Sequence, residues 1–253
     1  MKRKSQNITN RIWSCSAIVV ILILWQAVSS LGIVDSFMLP SPVQVVHAFI
    51  SEFPILMEHS LVTLAEAFLG LGIGILFGFI MAVLMDQFEP LYKACYPIVV
   101  LTQTIPTVAI APLLVLWFGF EMAPKVILIV ITTFFPITVG LLNGFKSADA
   151  DSINLLRAMG AGRWQIFRYI KLPGALSQFF ASLRISASYA VVGAVISEWL
   201  GGFSGLGVYM TRVKKAFSFD KMFAVIFLIS VISLLLMKGV DLLQKKCMPW
   251  EKE

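Results

Sequence analysis

The residues most able to do chemistry are concentrated in one charged segment, residues 146–173, which lies between long apolar stretches. Its basic side chains include Arg157, Arg163 and Arg168, and a glycine interrupts it at Gly160. Arginines of this kind bind and orient a partner surface. No nucleophile accompanied by an adjacent base is apparent in the sequence. The charged segment therefore predicts a binding element and not a catalytic centre.

Nucleotide and metal sites are not predicted for this chain. The run Gly144-Phe145-Lys146-Ser147 places phenylalanine where a phosphate-cradling loop needs glycine before the lysine. His47 and His59 are expected to lie isolated in an outer connection, and the three cysteines are far apart without ligand spacing. We therefore expect no enzyme activity, no bound metal and no bound cofactor in this chain.

The charged segment itself has the pattern of two short helices. Asp149 and Ser152 supply capping chemistry, Gly160 interrupts the apolar periodicity, and a second run extends from Arg163 to Pro173. One interpretation is an amphipathic helix lying on a lipid surface. The other is a helix seated in a groove of a partner protein, and the spacing from Gly160 to Pro173 favours it.

Composition places the chain in lipid. Of its 253 residues 58% are hydrophobic and only 13% are charged, and the mean hydropathy is +0.88. In soluble domains about a quarter of the residues are charged. The net charge of +6 needs no nucleic acid, because anionic lipid at the inner leaflet accounts for a basic surface. One membrane domain over residues 1–253 is the economical interpretation.

The fold class predicted is all-α, with six spans, because backbone polar groups in lipid must be satisfied within each segment. The predicted spans are approximately residues 12–31, 61–85, 96–118, 124–145, 179–200 and 222–243. The connection 146–178 contains the charged segment. A cleaved leader is an alternative for the first span, because small residues follow at Ala27-Val28-Ser29. A retained helix is favoured by Trp25 and Gln26 just before that site.

Orientation follows from the basic residues in the connections, since these resist translocation. With the amino terminus inside, fifteen of the twenty Lys and Arg residues lie on the inner side. Both termini and the charged segment are therefore expected in the cytoplasm. A basic cluster from Arg212 to Lys221 departs from the rule locally. It is either tolerated charge in a late connection or a basic face for a partner.

Several residues inside the predicted spans indicate helix packing or a path for the solute. Gly70, Gly74 and Gly78 recur every four residues, so they predict a smooth stripe for a neighbouring helix. Prolines at 97, 106, 112 and 136 predict kinks or breaks. A solute path is predicted to include six residues: Gln103, Thr104, Pro106, Pro112, Tyr189 and Glu198. For the threonines, hydrogen bonds to their own helix are an equal alternative.

Ionisable residues inside spans are costly and suggest function. Glu66 and Glu198 lie near the outer ends of their spans, so the alternative is that both reach interfacial water. Lys238 and Asp241 are three residues apart and predict a local ion pair.

The spacing from Gly160, nine residues and then Ile170-Lys171-Leu172-Pro173, resembles the cytoplasmic loop signature of ATP-binding-cassette importer permeases. The third span, with Pro106 and Pro112, resembles the nitrate, sulfonate and taurine branch of that family. Leu39-Pro40-Ser41-Pro42 after the first span is also typical of that branch. Where the family has Glu-Ala-Ala, this chain has Asn154-Leu155-Leu156. The ion pair that this glutamate makes is therefore not expected here.

The resemblance implies a bacterial inner-membrane permease without its own ATPase site. It implies a second permease copy, two cytoplasmic ATPase subunits that use ATP, and an extracytoplasmic solute-binding protein. The residues it assigns to ATPase coupling are Asn154, Arg157, Ala158, Gly160, Ala161, Ile170, Leu172 and Pro173. The substrate expected is a thiamine-precursor pyrimidine or otherwise a solute like nitrate, sulfonate or taurine.

The alternative is a secondary transporter or channel working alone. It predicts inverted repeats and polar residues at the middle of the membrane, and neither is convincing in this sequence. A membrane scaffold or sensor would leave the prolines of the third span unexplained.

Overall fold

All regular secondary structure is helical in the part of the protein that the structure, a computed structural model, describes. That part covers residues 2–32, 34, 35 and 37–251, with the backbone alone for residues 2–12, 14, 15 and 251. No strand occurs among these residues, so the all-α prediction is confirmed. The side chains of Cys15 and of the basic residues expected to orient the amino terminus lie outside the described part.

The helices follow the apolar stretches, separated by short connections. In chain order they are α1 (Lys2–Ser30), α2 (Pro42–Ser51), α3 (Phe53–Gln87), α4 (Glu89–Thr104), α5 (Thr107–Phe118), α6 (Met122–Lys146), α7 (Ala150–Ala158), α8 (Arg163–Ile166), α9 (Leu172–Leu200), α10 (Leu206–Lys215) and α11 (Phe219–Cys247). A π-helical turn, Phe167–Lys171, joins α8 to α9, and a 3₁₀ turn follows at Pro249–Glu251. The chain divides into two compact units. The first is Met1–Glu58 with Tyr209–Leu228, and the second is His59–Val208 with Ile229–Glu253.

Among the described residues, four continuous helical stretches are long and apolar enough to cross a membrane: residues 53–87, 122–146, 163–200 and 219–247. They correspond to the second, fourth, fifth and sixth predicted spans. The third predicted span corresponds to α4 and α5, which are bent by 98° and count as a fifth crossing only if taken together. The first predicted span falls in α1, whose described apolar part is the shorter stretch Ser16–Ser30.

The second unit is built around α6, against which small residues let two other helices approach. On α9, Ala175 lies so close to Gly144 that a side chain at Gly144 would clash. The α3 glycines meet α6 in register: Gly70 faces Ile129, Gly74 faces Thr133, and Gly78 faces Phe134 and Ile137. The stripe predicted from these glycines is confirmed. In lipid the hydrophobic effect does not drive helices together, so van der Waals packing between closely spaced helices takes its place.

An ion pair in the second unit differs from the sequence expectation. Arg184 Nε of α9 lies 2.7 Å from Asp241 Oδ1 of α11. Asp241 therefore pairs with Arg184 and not with Lys238. The expected local pair was wrong because a partner on another helix is available to the carboxylate.

Aromatic packing and an ion pair between Lys221 and Glu52 stabilise the described part of the first unit. Trp25 of α1 lies 5.8 Å from Phe227 of α11, ring centre to ring centre, and its Nε1 donates to the Pro40 carbonyl at 3.0 Å. Lys221 donates to the Glu52 carboxylate, which also accepts a 3.2 Å hydrogen bond from the Tyr209 hydroxyl. The Lys221 hydrogen bond holds the pKa of Glu52 below its usual value.

Candidate functional site

The charged segment begins with a capped helix, α7. The Asp149 carboxylate accepts hydrogen bonds from the Ser152 hydroxyl at 2.5 Å and the Ser152 amide at 2.9 Å. The bond from the amide satisfies one amino-terminal donor of the helix, and both bonds hold the pKa of Asp149 below its usual value. Asn154 and Arg157 follow on α7 with exposed side chains. The capping predicted from Asp149 and Ser152 is confirmed.

Gly160 ends α7 in a turn that only glycine adopts easily. Its φ is +85°, its amide donates to the Arg157 carbonyl, and the Ala161 amide donates to the Leu156 carbonyl, both at 2.9 Å. This pair of bonds is the Schellman motif, which requires the left-handed conformation. The left-handed backbone conformation at Gly160 therefore explains why the run Ala158-Met159-Gly160-Ala161 has glycine at this position.

Beyond the turn, the helix does not end at Pro173 as expected. It continues from Arg163 through the π-helical turn into α9 and reaches Leu200. Pro173 is the second residue of α9 and follows directly on the π-helical turn, whose wider backbone departs from the regular α-helical hydrogen-bond pattern. Of the residues assigned to ATPase coupling, Ile170, Leu172 and Pro173 are therefore half-buried at the base of α9. The others lie on α7 and its turn, where most are exposed.

A cavity of about 820 Å³ lies beside the charged segment. Charged side chains lining it include Lys146, Arg157, Arg163, Lys171, Asp86 and Glu89. Lys171 Nζ contacts both carboxylate oxygens of Asp86, at 2.7 and 2.9 Å. The Lys146 ammonium donates to the Tyr92 hydroxyl at 2.7 Å and lies 4.1 Å from the centre of that ring.

The break between α4 and α5 forms a second, smaller cavity. Pro106 lacks an amide hydrogen and holds Ile105 in an extended conformation, whereas the prolines at 97, 112 and 136 lie inside helices without interrupting them. The cavity has a volume of about 220 Å³. Its polar lining consists of Thr102, Gln103, Thr107, Thr132 and Tyr189.

The structure brings together only part of the predicted path. Gln103 and Tyr189 line the smaller cavity, with Pro106 at the break beside it and Pro112 farther along α5. Thr104 is exposed and donates to the Leu101 carbonyl at 2.8 Å, which is the alternative expected for the threonines. Glu198 lies elsewhere, in a buried polar cluster.

That buried polar cluster joins α3, α6, α9 and the start of α10. Glu198 accepts from the Thr63 hydroxyl at 2.7 Å and from the Gly207 amide at 2.6 Å, and Lys125 Nζ donates to Glu66 Oε1 at 2.5 Å. Both carboxyl groups are 2% exposed. Of the two interpretations left open by the sequence, the one in which both reach interfacial water is therefore wrong. Polar partners on neighbouring helices replace the water.

His59 also belongs to this cluster and not to an outer connection. It is buried within α3, and its Nδ1 accepts from the Gly205 amide at 2.9 Å. The Leu206 amide donates to the Thr63 hydroxyl at 2.9 Å. Sequence reasoning missed His59, Thr63 and Lys125 as partners. Opposite charges at Glu66 and Lys125, both inside apolar stretches, were the available signal.

Comparisons with known proteins agree with this architecture. Residues 74–248 match the sequence family described as binding-protein-dependent transport system inner membrane component. The formylaminopyrimidine transport permease protein of Halalkalibacterium halodurans is 36% identical over 236 residues, covering 93% of this chain and 94% of that protein. The taurine transport system permease protein of Escherichia coli is 29% identical over 247 residues, covering 95% and 90%. A solved inward-facing methionine transporter, MetNI, shares the fold, with a TM-score of 0.68, 20% identity, and coverage of 78% of this chain and 97% of that one.

Proposed function

The chain belongs to the family of binding-protein-dependent transport system inner membrane components and is the permease subunit of an ATP-driven importer, and from this premise we propose that its solute is a small neutral nitrogen heterocycle. The permease assignment replaces the alternative of a stand-alone secondary transporter or channel. A pyrimidine that serves as a thiamine precursor is the specific candidate. The observation that carries it is the cavity at the α4–α5 break.

The lining of that cavity suits a neutral ring better than an anion. Its described side chains are apolar or neutral and polar, with the Gln103 amide and the Tyr189 phenol as hydrogen-bonding groups. The hydroxyls of Thr102 and Thr132 donate to carbonyls of their own helices, so towards a solute they act as acceptors. A sulfonate would require cations or several N–H donors to replace its hydration. A volume of about 220 Å³ also lies below the range of drug-sized sites.

The relatives are named for solutes of both kinds. The relative from Halalkalibacterium halodurans, at 36% identity, is named for formylaminopyrimidine, and the one from Escherichia coli, at 29%, is named for taurine. The electrostatics of the cavity favour the first of these chemistries.

The substrate proposal is tested through the solute-binding protein that accompanies the chain. The tagged chain is purified from its native membrane, and its partners are identified by mass spectrometry. The binding protein recovered is then titrated with formylaminopyrimidine and with taurine, and heat release is measured. We expect binding of formylaminopyrimidine alone. Binding of taurine alone would contradict the proposal.

The assembly proposed is a pair of these permeases with two ATPase subunits and one solute-binding protein, in a bacterial inner membrane. ATP is used by the partner ATPases, and no cofactor or nucleic acid is assigned to this chain. The charged segment would lie on the cytoplasmic side with both termini. The exposed face of α7, with Asn154 and Arg157, and the Gly160 turn are the parts we assign to ATPase docking. Exposure and a fixed turn geometry support this assignment.

The docking assignment predicts the effect of changing Gly160. Gly160→Asp places a side chain at φ +85°, which strains the turn, so we expect uptake to be lost while the protein stays in the membrane. Gly162→Asp is the matched control, because Gly162 is the N-cap of α8 with φ −74° and aspartate is favoured at that position. Uptake and membrane abundance are measured for both. Equal loss in both variants would show that the added charge, and not the turn, is responsible.

A further inference from the structure

Lys171 and Asp86 form an ion pair between two parts of the chain that are far apart in sequence. Lys171 is the last residue of the π-helical turn, and Asp86 lies one residue before the end of α3. The carboxylate is 8% exposed and the ammonium side chain 25% exposed. Such a pair is screened less by water than a surface pair. Asp86 also accepts from the side chain of the adjacent Gln87, at 3.3 Å.

A second contact fixes the same turn to a different helix. Phe167, which is 2% exposed, packs edge-on against Phe145 of α6 with 5.3 Å between ring centres. The Trp164 ring stacks on Phe167 at 5.5 Å. The π-helical turn is therefore joined to α6 by aromatic packing and to α3 by the ion pair.

The two contacts differ in what they can transmit. The aromatic contact joins the turn to α6 and not directly to α3. A lysine that contacts both oxygens of one carboxylate fixes a distance and a direction, because charge-assisted hydrogen bonds are short and strong. π-helical turns occur in α-helices frequently at functional sites. A shift of α8 and its turn would thus be passed to α3 chiefly through Lys171.

We propose that the Asp86–Lys171 ion pair transmits the movement of the charged segment to α3, so that ATP hydrolysis is coupled to the opening of the permease. Both are positioning residues, since neither is assigned to the solute path or to the ATPase docking face. This inference rests on the proposed partnership with an ATPase.

The experiment uses the complete importer in proteoliposomes, with its binding protein and the solute identified above. Uptake and ATP hydrolysis are measured in the same vesicles for the wild type, Asp86→Asn, Lys171→Gln and the exchange variant Asp86→Lys/Lys171→Asp. The matched control is Glu89→Gln, which breaks the nearby pair with Lys93. That pair has side chains 76% and 73% exposed.

We expect the two single variants to retain the ATPase subunits on purification and to use at least about tenfold more ATP per solute, as expected for the loss of a charge-assisted hydrogen bond. The exchange variant restores much of the wild-type ratio, and Glu89→Gln leaves it unchanged. A wild-type ratio in both single variants would overturn the inference. Loss of the ATPase subunits from both would also overturn it, because the pair would then serve assembly. A wild type without ATP-dependent uptake would instead refute the proposed function.

Discussion

Lys125 and Glu66 place two opposite charges in a part of the second unit that is closed to solvent, with 6% and 3% of their side chains exposed. Ionisable groups in such surroundings need an opposite charge or several hydrogen bonds, since otherwise each would lose its hydration without compensation. Glu198 lies in the same cluster and is satisfied by Thr63 and by the Gly207 amide. The cluster therefore depends on the presence of every partner.

Lys125→Met leaves the Glu66 carboxylate buried without its cation. We expect the free energy of unfolding to fall by about 3 kcal/mol, as for other broken buried pairs. Unfolding of the purified protein in detergent by increasing denaturant measures the change. The control is Lys93→Met, at an exposed side chain, for which we expect a change of at most about 0.5 kcal/mol. Adding Glu66→Leu to Lys125→Met should recover most of the loss, and no recovery would contradict the pairing.

Glu52 makes the stability of the first unit sensitive to acid. The pKa of its carboxyl is lowered from 4.5, first by the Lys221 hydrogen bond. A lowered folded-state pKa contributes stability that is complete above 4.5 and is lost as the pH falls through the folded-state value. We expect wild type to exceed Glu52→Gln in thermal midpoint at neutral pH and the difference to shrink below pH 4.5. A difference that does not change with pH would refute this origin.

At the scale of elements, α3 is held against α6 by its glycines. A side chain at Gly74 would meet the Thr133 hydroxyl, whereas Gly72, on the same helix, has no atom within 4 Å of its added Cβ. Alanine substitutions at the two positions therefore distinguish the effect of helix packing on stability from the effect of helix propensity.

Gly74→Ala should lower the free energy of unfolding by about 1–3 kcal/mol, because the closely packed helices must move apart. Gly72→Ala should be neutral or should stabilise by up to about 1 kcal/mol, since alanine is the better helix former. Denaturant unfolding of both variants in the same detergent provides the comparison. Equal destabilisation would mean that the α3–α6 contact is not the reason.

At the scale of the whole molecule, the distribution of basic residues predicts the orientation in the membrane. If both termini are inside, fifteen of the twenty Lys and Arg lie on the inner side, and the exposed Cys247 near the end of α11 should then face the cytoplasm. A membrane-impermeant maleimide should label Cys247 in inverted vesicles and not in intact spheroplasts.

The opposite result is expected for Phe203→Cys in a variant whose native cysteines are replaced by serine. Phe203 is exposed in the connection between α9 and α10. Labelling of both positions from the same side would contradict the orientation.

Features encoded locally were predictable from the sequence. The Asp149 cap, the Gly160 turn and the α3 glycine stripe each depend on spacings of a few residues. Contacts between distant segments were not predictable, because span periodicity does not say which helices are neighbours. Lys125 and Glu66 are 59 residues apart, and Lys171 and Asp86 are 85 apart. Gln103 and Tyr189 were predicted for a solute path, but the cavity that both line, its volume and its neutral lining required the fold.

The turn that begins α10 contains backbone amides whose hydrogen exchange reports on the separation of α3 and α9. Its three successive amides, at Gly205, Leu206 and Gly207, donate to side chains of α3 and α9 and not to backbone. Their exchange with deuterated solvent therefore cannot proceed until those helices release them. During transport, the deuterium uptake of this one short peptide would follow the parting of α3 and α9 without any attached label.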